Sequence, residues 1–317
     1  MEILKLKPVF KDYIWGGTRL KTDFGFESNL DKLAEGWMLS CHKDGMSTVE
    51  GGKYNGKTLK EIIDKEGVEK TAGTECLDFP YFPVLIKLID AKDNLSIQVH
   101  PDNDYARRVE GEYGKTEIWY VLDAADGAQL IYGFKEKISS DEFVNAIKNN
   151  TLTDVLNAVK IKKGDLLFIE AGTVHAIGKG ALIAEIQQNS NTTYRVYDYG
   201  RTGADGKPRE LHIEKAVEVA KTQPPEYEIK PMGKPVKNDG YTDTLLTKCT
   251  FFTVNHYDIE KSVSLETDSS SFNHVLIVNG NGKINDIDFK KGDSFFVPAD
   301  FGKYKISGKC EAIITKI

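Results

Sequence analysis

Short runs of β-branched and aromatic residues crowd this chain, and they constrain its fold more than any other feature. LSIQVH (95–100), TEIWYVLD (116–123), DLLFIE (165–170), ALIAEIQQ (181–188) and TTYRVYDYG (192–200) lie close to Gly, Pro, Asn or Asp. Past Lys230 the pattern resumes in TFFTVNHYDI (250–259), NHVLIVNG (273–280), KINDIDF (283–289), DSFFVPA (293–299) and EAIITKI (311–317). Strands at this spacing predict a mainly β sandwich or barrel. Helices are few and peripheral. LKEIIDKEG follows a Thr58 cap, Ser139 to Glu142 opens DEFVNAIKNN with a capping box, and TDVLNAV (153–159) and HIEKAVEVAK (212–221) carry helical spacing. The stretch 222–240 holds four prolines and few aliphatics, so it reads as the connection between an N-terminal unit, 1–230, and a C-terminal unit, 241–317.

Charge narrows the function. Forty-two Lys and Arg against 48 Asp and Glu leave a net charge of −6, so nothing draws the whole chain to nucleic acid or an anionic membrane. An anionic ligand would need a local basic cluster. No apolar run approaches the length of a membrane span. The start lacks a signal-peptide pattern, and the four cysteines share no C-x-x-C spacing, so free thiols in the cytoplasm are expected.

One internal similarity stands out. Gly164-Asp165-Leu-Leu-Phe168-Ile169-Glu-Ala171 returns as Gly292-Asp293-Ser-Phe-Phe296-Val297-Pro-Ala299. Each is a turn leading into a buried strand, and two copies of one β unit are the simplest account. At the twelfth position the copies diverge: His175 in the first, Lys303 in the second.

The polar residues inside the strands carry the chemistry. Alternation puts Ser96, Gln98 and His100 on one face of their strand, with Leu95, Ile97 and Val99 on the other. Glu117 interrupts an otherwise apolar strand, which is costly unless the carboxylate is paired or holds a metal. His175 follows a turn. Gln98, His100, Glu117 and His175 would form a set that suits Zn²⁺, although Fe²⁺ and Mn²⁺ accept similar ligands. The competing reading pairs Glu117 with Lys115 and makes the histidines structural. Arg195 shares a strand face with Tyr197 and Tyr199. It either holds an anion beside the metal or pairs with Glu185. His42, His212, His256 and His274 show no comparable pattern and read as surface or packing residues. Gly172 to Gly180 only mimics a phosphate loop, and no G-x-G-x-x-G or G-x-S-x-G occurs.

The blocks FPVLIKLIDAKDNLSIQVHPDNDYA, GKTEIWYVLDA, GDLLFIEAGTVHAIGKG and EIQQNSNTTYRVYDYGR together resemble the short bacterial form of the class I mannose-6-phosphate isomerases. These are zinc enzymes of the cupin superfamily, and the likeness runs through essentially the whole chain. It implies two cupin-type jelly-roll units with a few peripheral helices, the metal lying only in the N-terminal one. It also implies one Zn²⁺ per chain on Gln98, His100, Glu117 and His175, with Arg195 and Lys115 as active-site residues. The reaction implied is the interconversion of mannose 6-phosphate and fructose 6-phosphate through an enediolate. Lys115, Arg195, Arg201 and Arg209 are the basic candidates for the phosphate. The chain departs from the family in two places: Asn191 stands where an Asp is common, and Met38 where an acidic residue often follows the Trp. An Asn cannot serve as a carboxylate base, so no proton transfer is assigned there. The alternatives are another cupin metalloenzyme, such as an Fe²⁺ dioxygenase, or a silent sugar-phosphate-binding regulator.

Overall fold

The computed structural model describes residues 1–203 and 206–317. Among these residues the strands pair antiparallel, in two large groups that face each other across an apolar layer. The first group is a six-stranded sheet in the order Leu166–Ile169, Glu117–Ala124, Ala181–Gln188, Val84–Ala91, Glu35–Leu39, Val9–Lys11. Opposite it runs a five-stranded sheet: Leu156–Lys160, Gln129–Phe134, His175–Ile177, Ile97–Val99, Tyr194–Tyr197. Ile89, Trp119, Leu167 and Ile183 of the first pack against Leu130, Tyr132 and Ile177 of the second, closing a barrel-like interior. Ile97 and Val99 point outward, beneath Phe143, Leu152 and Ala216 of the helices. Their alternation partner Gln98 therefore faces in.

The second group is a ten-stranded sheet built on the long strands Asn273–Ile284 and Gly302–Lys316, which wraps around Val275, Ile277, Phe295 and Ile306. Ile118, Tyr120, Phe168 and Ile186 from the first group meet Val254, Leu276, Phe296 and Ile313 from the second. The two strands Leu4–Lys7 and Thr48–Glu50 belong to this C-terminal sheet: Leu4–Lys7 adds beside Ser294–Val297. The chain thus begins in one unit's sheet and continues into the other's.

The cap signals behave as their residues require. Thr58 and Glu61 exchange both capping-box bonds, at 3.1 and 2.8 Å, and Ser139 and Glu142 do the same at 3.2 and 2.7 Å. Helix 212–221 forms as Ile213–Val219. The segment 153–159 is corrected. Only Leu152–Val155 is helical, and Leu156–Lys160 is a strand along the edge of Gln129–Phe134. Pairing with an open sheet edge supplies backbone partners that a one-turn helix lacks, and tertiary context overrides the local pattern.

Candidate metal centre

Three strands and one turn bring the centre together. His175 lies directly across from Gln98, and Arg195 flanks Gln98 on its other side. Gly172, with φ +88°, makes the turn before His175, and its N–H donates to the His100 carbonyl at 2.8 Å. A side chain at Gly172 would meet the Val219 carbonyl oxygen at 2.8 Å, so only glycine lets this turn close. Ligand atoms of His100, Glu117 and His175 lie within 4.8 Å of one another, and all three residues are buried.

The hydrogen bonds define what this cluster can hold. His100 Nδ1 is 2.9 Å from the Thr192 carbonyl, and His175 Nδ1 is 2.8 Å from the Thr173 carbonyl. A carbonyl only accepts, so both Nδ1 atoms carry the proton and both Nε2 atoms present lone pairs. The two Nε2 atoms face each other at 3.1 Å. Glu117 Oε1 is 3.5 Å from His175 Nε2, and among the described residues no hydrogen-bond donor serves it. Two lone pairs and a carboxylate oxygen converging in a buried space are repulsive by themselves and suit a cation. Burial, then the Lys115 charge, lowers the pKa of both imidazoles, to about 3 for His175, so both stay neutral as ligands require. Burial and the neighbouring Glu185 carboxylate push Glu117 up, opposed by Lys115.

Lys115 Nζ lies 2.6 Å from Glu117 Oε2, 3.1 Å from His100 Nε2 and 3.8 Å from Glu185 Oε1. Glu185 continues an alternating chain of charge through Lys87, at 3.1 Å, to Glu35, at 3.6 Å. Tryptophan N–H groups fix both acids: Trp119 donates to Glu185 at 2.9 Å and Trp37 to Glu35 at 2.7 Å. Burial lowers the Lys87 pKa, but Glu185 and Glu35 more than offset that and hold it charged. Glu35 and Lys87 are two members of the site that the sequence reading does not include. For Lys87 the signal is the one that exposes Glu117, a charge set into an apolar strand, as in VLIKLID; Glu35 has no such run around it.

A pocket of about 290 Å³ opens beside this chain, lined by Tyr13, Gln98, Lys115, Glu185, Arg195 and Arg209 among others. Arg195 donates to Ser96 Oγ at 3.2 Å and to the Glu210 carbonyl at 2.8 Å, and it does not take Glu185 as its hydrogen-bonded partner. Burial and the neighbouring Arg209 charge lower its pKa, as expected where cations gather for an anion. Asp198 grips Arg209 through its Nε at 2.7 Å and also binds Arg201, which is tied to the Asn94 carbonyl away from the pocket lining. Asn191 lines the pocket and donates to Asp44 at 2.8 Å. Met38 is fully buried in the apolar layer between the groups, so the departure there falls in the core; the acid that reaches the pocket from that strand is Glu35. Among the remaining histidines, His42 and His274 are buried.

Residues 3–124 match the family model of the phosphomannose isomerase type I catalytic domain, and 242–317 match that of the mannose-6-phosphate isomerase cupin domain. Mannose-6-phosphate isomerase ManA of Bacillus subtilis is 39% identical, covering 100% of this chain and 99% of its own. The chain belongs to the type I phosphomannose isomerase family. A second member, the mannose-6-phosphate isomerase of Streptococcus mutans, is 36% identical over 98% of this chain and 97% of its own. The crystal structure of the Bacillus subtilis phosphomannose isomerase superposes with a TM-score of 0.91, covering 100% of both chains. That of a point mutant of the Salmonella typhimurium phosphomannose isomerase, 19% identical, shares the fold with a TM-score of 0.78 over 99% of each chain. The likeness to the cupin-domain family holds for the mainly β architecture as well. Among the described residues no helix is long and apolar enough to cross a membrane.

Proposed function

We propose that the protein is a zinc-dependent isomerase that interconverts mannose 6-phosphate and fructose 6-phosphate, with Gln98, His100, Glu117 and His175 as the ligands of one Zn²⁺ per chain. The observation that carries this reading is the convergence of two imidazole lone pairs and the Glu117 carboxylate at the wall of a cation-lined pocket. A bound Zn²⁺ would act as a Lewis acid toward the oxygens of the sugar.

The rest follows from the chain's own groups. Moving a proton between C1 and C2 builds negative charge on an oxygen, and Arg195 sets a fixed positive charge at the pocket wall to stabilise it. Ser96 and the Glu210 carbonyl hold that guanidinium before substrate arrives, so no reorganisation is needed as charge develops. Lys115 adds a second cation at the inner end, where it meets both Glu117 and Glu185. Arg209, which lines the pocket and is clamped by Asp198, would take the phosphate. The carboxylates that face the pocket, Glu35 and Glu185, are the groups that can carry the proton, and Lys87 lies between them, 3.6 Å from Glu35 and 3.1 Å from Glu185. In this reading residues 1–230 supply the chemistry, and 241–317 form a metal-free unit that covers the first. The four unpaired cysteines fit a cytoplasmic location. A coupled isomerase assay on chelator-stripped and zinc-reconstituted protein tests the proposal. Full turnover by the metal-free chain would remove the mechanism.

A further inference from the structure

The two histidines of the centre are oriented in different ways. His175 donates to the carbonyl of Thr173, two residues away in its own turn, so local backbone geometry fixes its ring. His100 donates to the carbonyl of Thr192, 92 residues away. Thr192 lies outside regular structure, before the strand Tyr194–Tyr197, so no sheet ladder aims that carbonyl. Other groups must do so.

Glu112 is the hub of those groups. Its carboxylate accepts from the Thr192 hydroxyl at 3.3 Å and pairs with Lys43 at 2.6 Å, and His42 Nε2 stands 3.7 Å away. Burial pushes the Glu112 carboxyl up, but Lys43, His42 and the Asn191 main-chain N–H more than offset this and hold it ionised. From the same side, Asp44 accepts from the Asn191 amide at 2.8 Å. Lys43 and Asp44 form the turn of the hairpin Cys41–His42 and Gly45–Met46. Glu112 and this hairpin therefore clasp residues 191–192, the segment that presents one carbonyl to His100 and one side chain to the pocket.

We infer that Glu112 is a positioning residue for the metal centre: it fixes the Thr192 carbonyl, which orients the His100 imidazole. Glu112 does not itself line the pocket and contacts no proposed ligand; it reaches the pocket only through the main chain of Asn191. The inference rests on the metal reading above. Partners that orient a ligating imidazole typically contribute 10- to 100-fold to metal affinity.

The test is zinc affinity, measured by chelator competition on the full chain, together with the visible spectrum of the Co²⁺-substituted protein. Glu112→Ala should weaken zinc by about 10- to 100-fold and alter the Co²⁺ spectrum. Glu112→Gln keeps an oxygen acceptor for Thr192 and Asn191, and should restore most of the affinity. Thr192→Val removes one bond of the clasp and should weaken zinc measurably, by a smaller factor than Glu112→Ala; it decides the matter if Glu112→Ala does not fold. Wild-type zinc affinity and an unchanged Co²⁺ spectrum in every folded variant would overturn the inference while leaving the metal reading intact. A wild-type chain that takes up no zinc would end the metal reading itself.

Discussion

The turn at Lys162–Asp165 and the turn at Lys290–Asp293 share four hydrogen bonds. Gly164 donates to Val121 at 2.9 Å and Gly292 to Ile277 at 2.8 Å; Asp165 accepts from the Lys162 N–H and Asp293 from the Lys290 N–H, each at 2.9 Å. The Val121 and Ile277 N–H groups return a bond to these aspartates' carbonyls, at 2.9 Å in both units, and the aspartate N–H groups close the turns at 3.1 and 3.0 Å. Even φ agrees, +90° at Gly164 and +91° at Gly292. The side chains then part. Glu117 pairs with Ile169 in the first unit, and the same register puts Asn273 opposite Val297, where it bonds the Tyr304 hydroxyl at 2.9 Å. His175 faces Gln98, whereas Lys303 faces Glu266. Where the first interior carries Lys87, Glu117 and Glu185, the second is filled by Val275, Ile277, Phe295 and Ile306. The turn and the strand register recur, but the interior side chains differ, and among the described residues the cluster that could hold a metal ion is in the first unit.

The sharpest test of that contrast is to remove the centre. Chelation, or Glu117→Ala, should abolish turnover, and zinc should restore it in the chelated wild type alone; metal analysis and the coupled assay read both. Next, Arg195→Ala should lower kcat by about two to three powers of ten with zinc content unchanged. Normal turnover in the surviving folded fraction would instead assign Arg195 to holding Ser96 and the Glu210 carbonyl.

In the second unit large effects should appear in stability and leave the chemistry intact. Phe296 stacks on Phe272 with ring centroids 4.9 Å apart, in the layer between the units. Phe296→Ala should cost about 3–5 kcal/mol of unfolding free energy, with zinc stoichiometry preserved. The matched turns give a smaller, paired test. Alanine at either glycine strains a positive φ by about 1–3 kcal/mol. A Cβ at Gly164 meets open space, but one at Gly292 meets the Phe26 ring at 2.8 Å. Gly292→Ala should therefore be the more destabilising by denaturant titration; the reverse order would break the equivalence of the turns.

The smallest effect at neutral pH concerns His274. It is fully buried against Ser294 Oγ at 2.8 Å, and burial lowers its pKa from 6.5 to about 3. The unfolded chain takes up a proton that the folded chain refuses, so His274 contributes stability above pH 6.5 that is lost as the pH falls toward 3. The slope of stability against pH in that window should flatten in His274→Ala, by at most about 1.4 kcal/mol per pH unit. Zinc stoichiometry and kcat should be nearly unchanged in His274→Ala and in His256→Ala. A second ordered zinc on either histidine would overturn the division between the units.

Alternation in LSIQVH was enough to put Gln98 and His100 on one face, because a strand's side-chain period is two wherever it is paired. A carboxylate inside EIWYV announced itself by the cost of burying it unpaired, and the G-D residues announced a turn that recurs with the same hydrogen bonds. The same cost argument applied to Lys87 would have found it. Glu35 was hidden because the strand Glu35–Leu39 lacks a long apolar run.

What the sequence determined by itself, then, was local: the strand periods, the caps at Thr58 and Ser139, the two turns, and which strands carry polar residues that need partners. Tertiary structure alone decided the rest. It set Leu4–Lys7 into the C-terminal sheet, turned Leu156–Lys160 from helix to strand, and ran the charge chain from Glu35 to Glu117. It also aimed the Thr192 carbonyl at His100. Each of these depends on a partner far along the chain, and local preference carries no record of which distant backbone or side chain will complete a hydrogen bond or neutralise a buried charge.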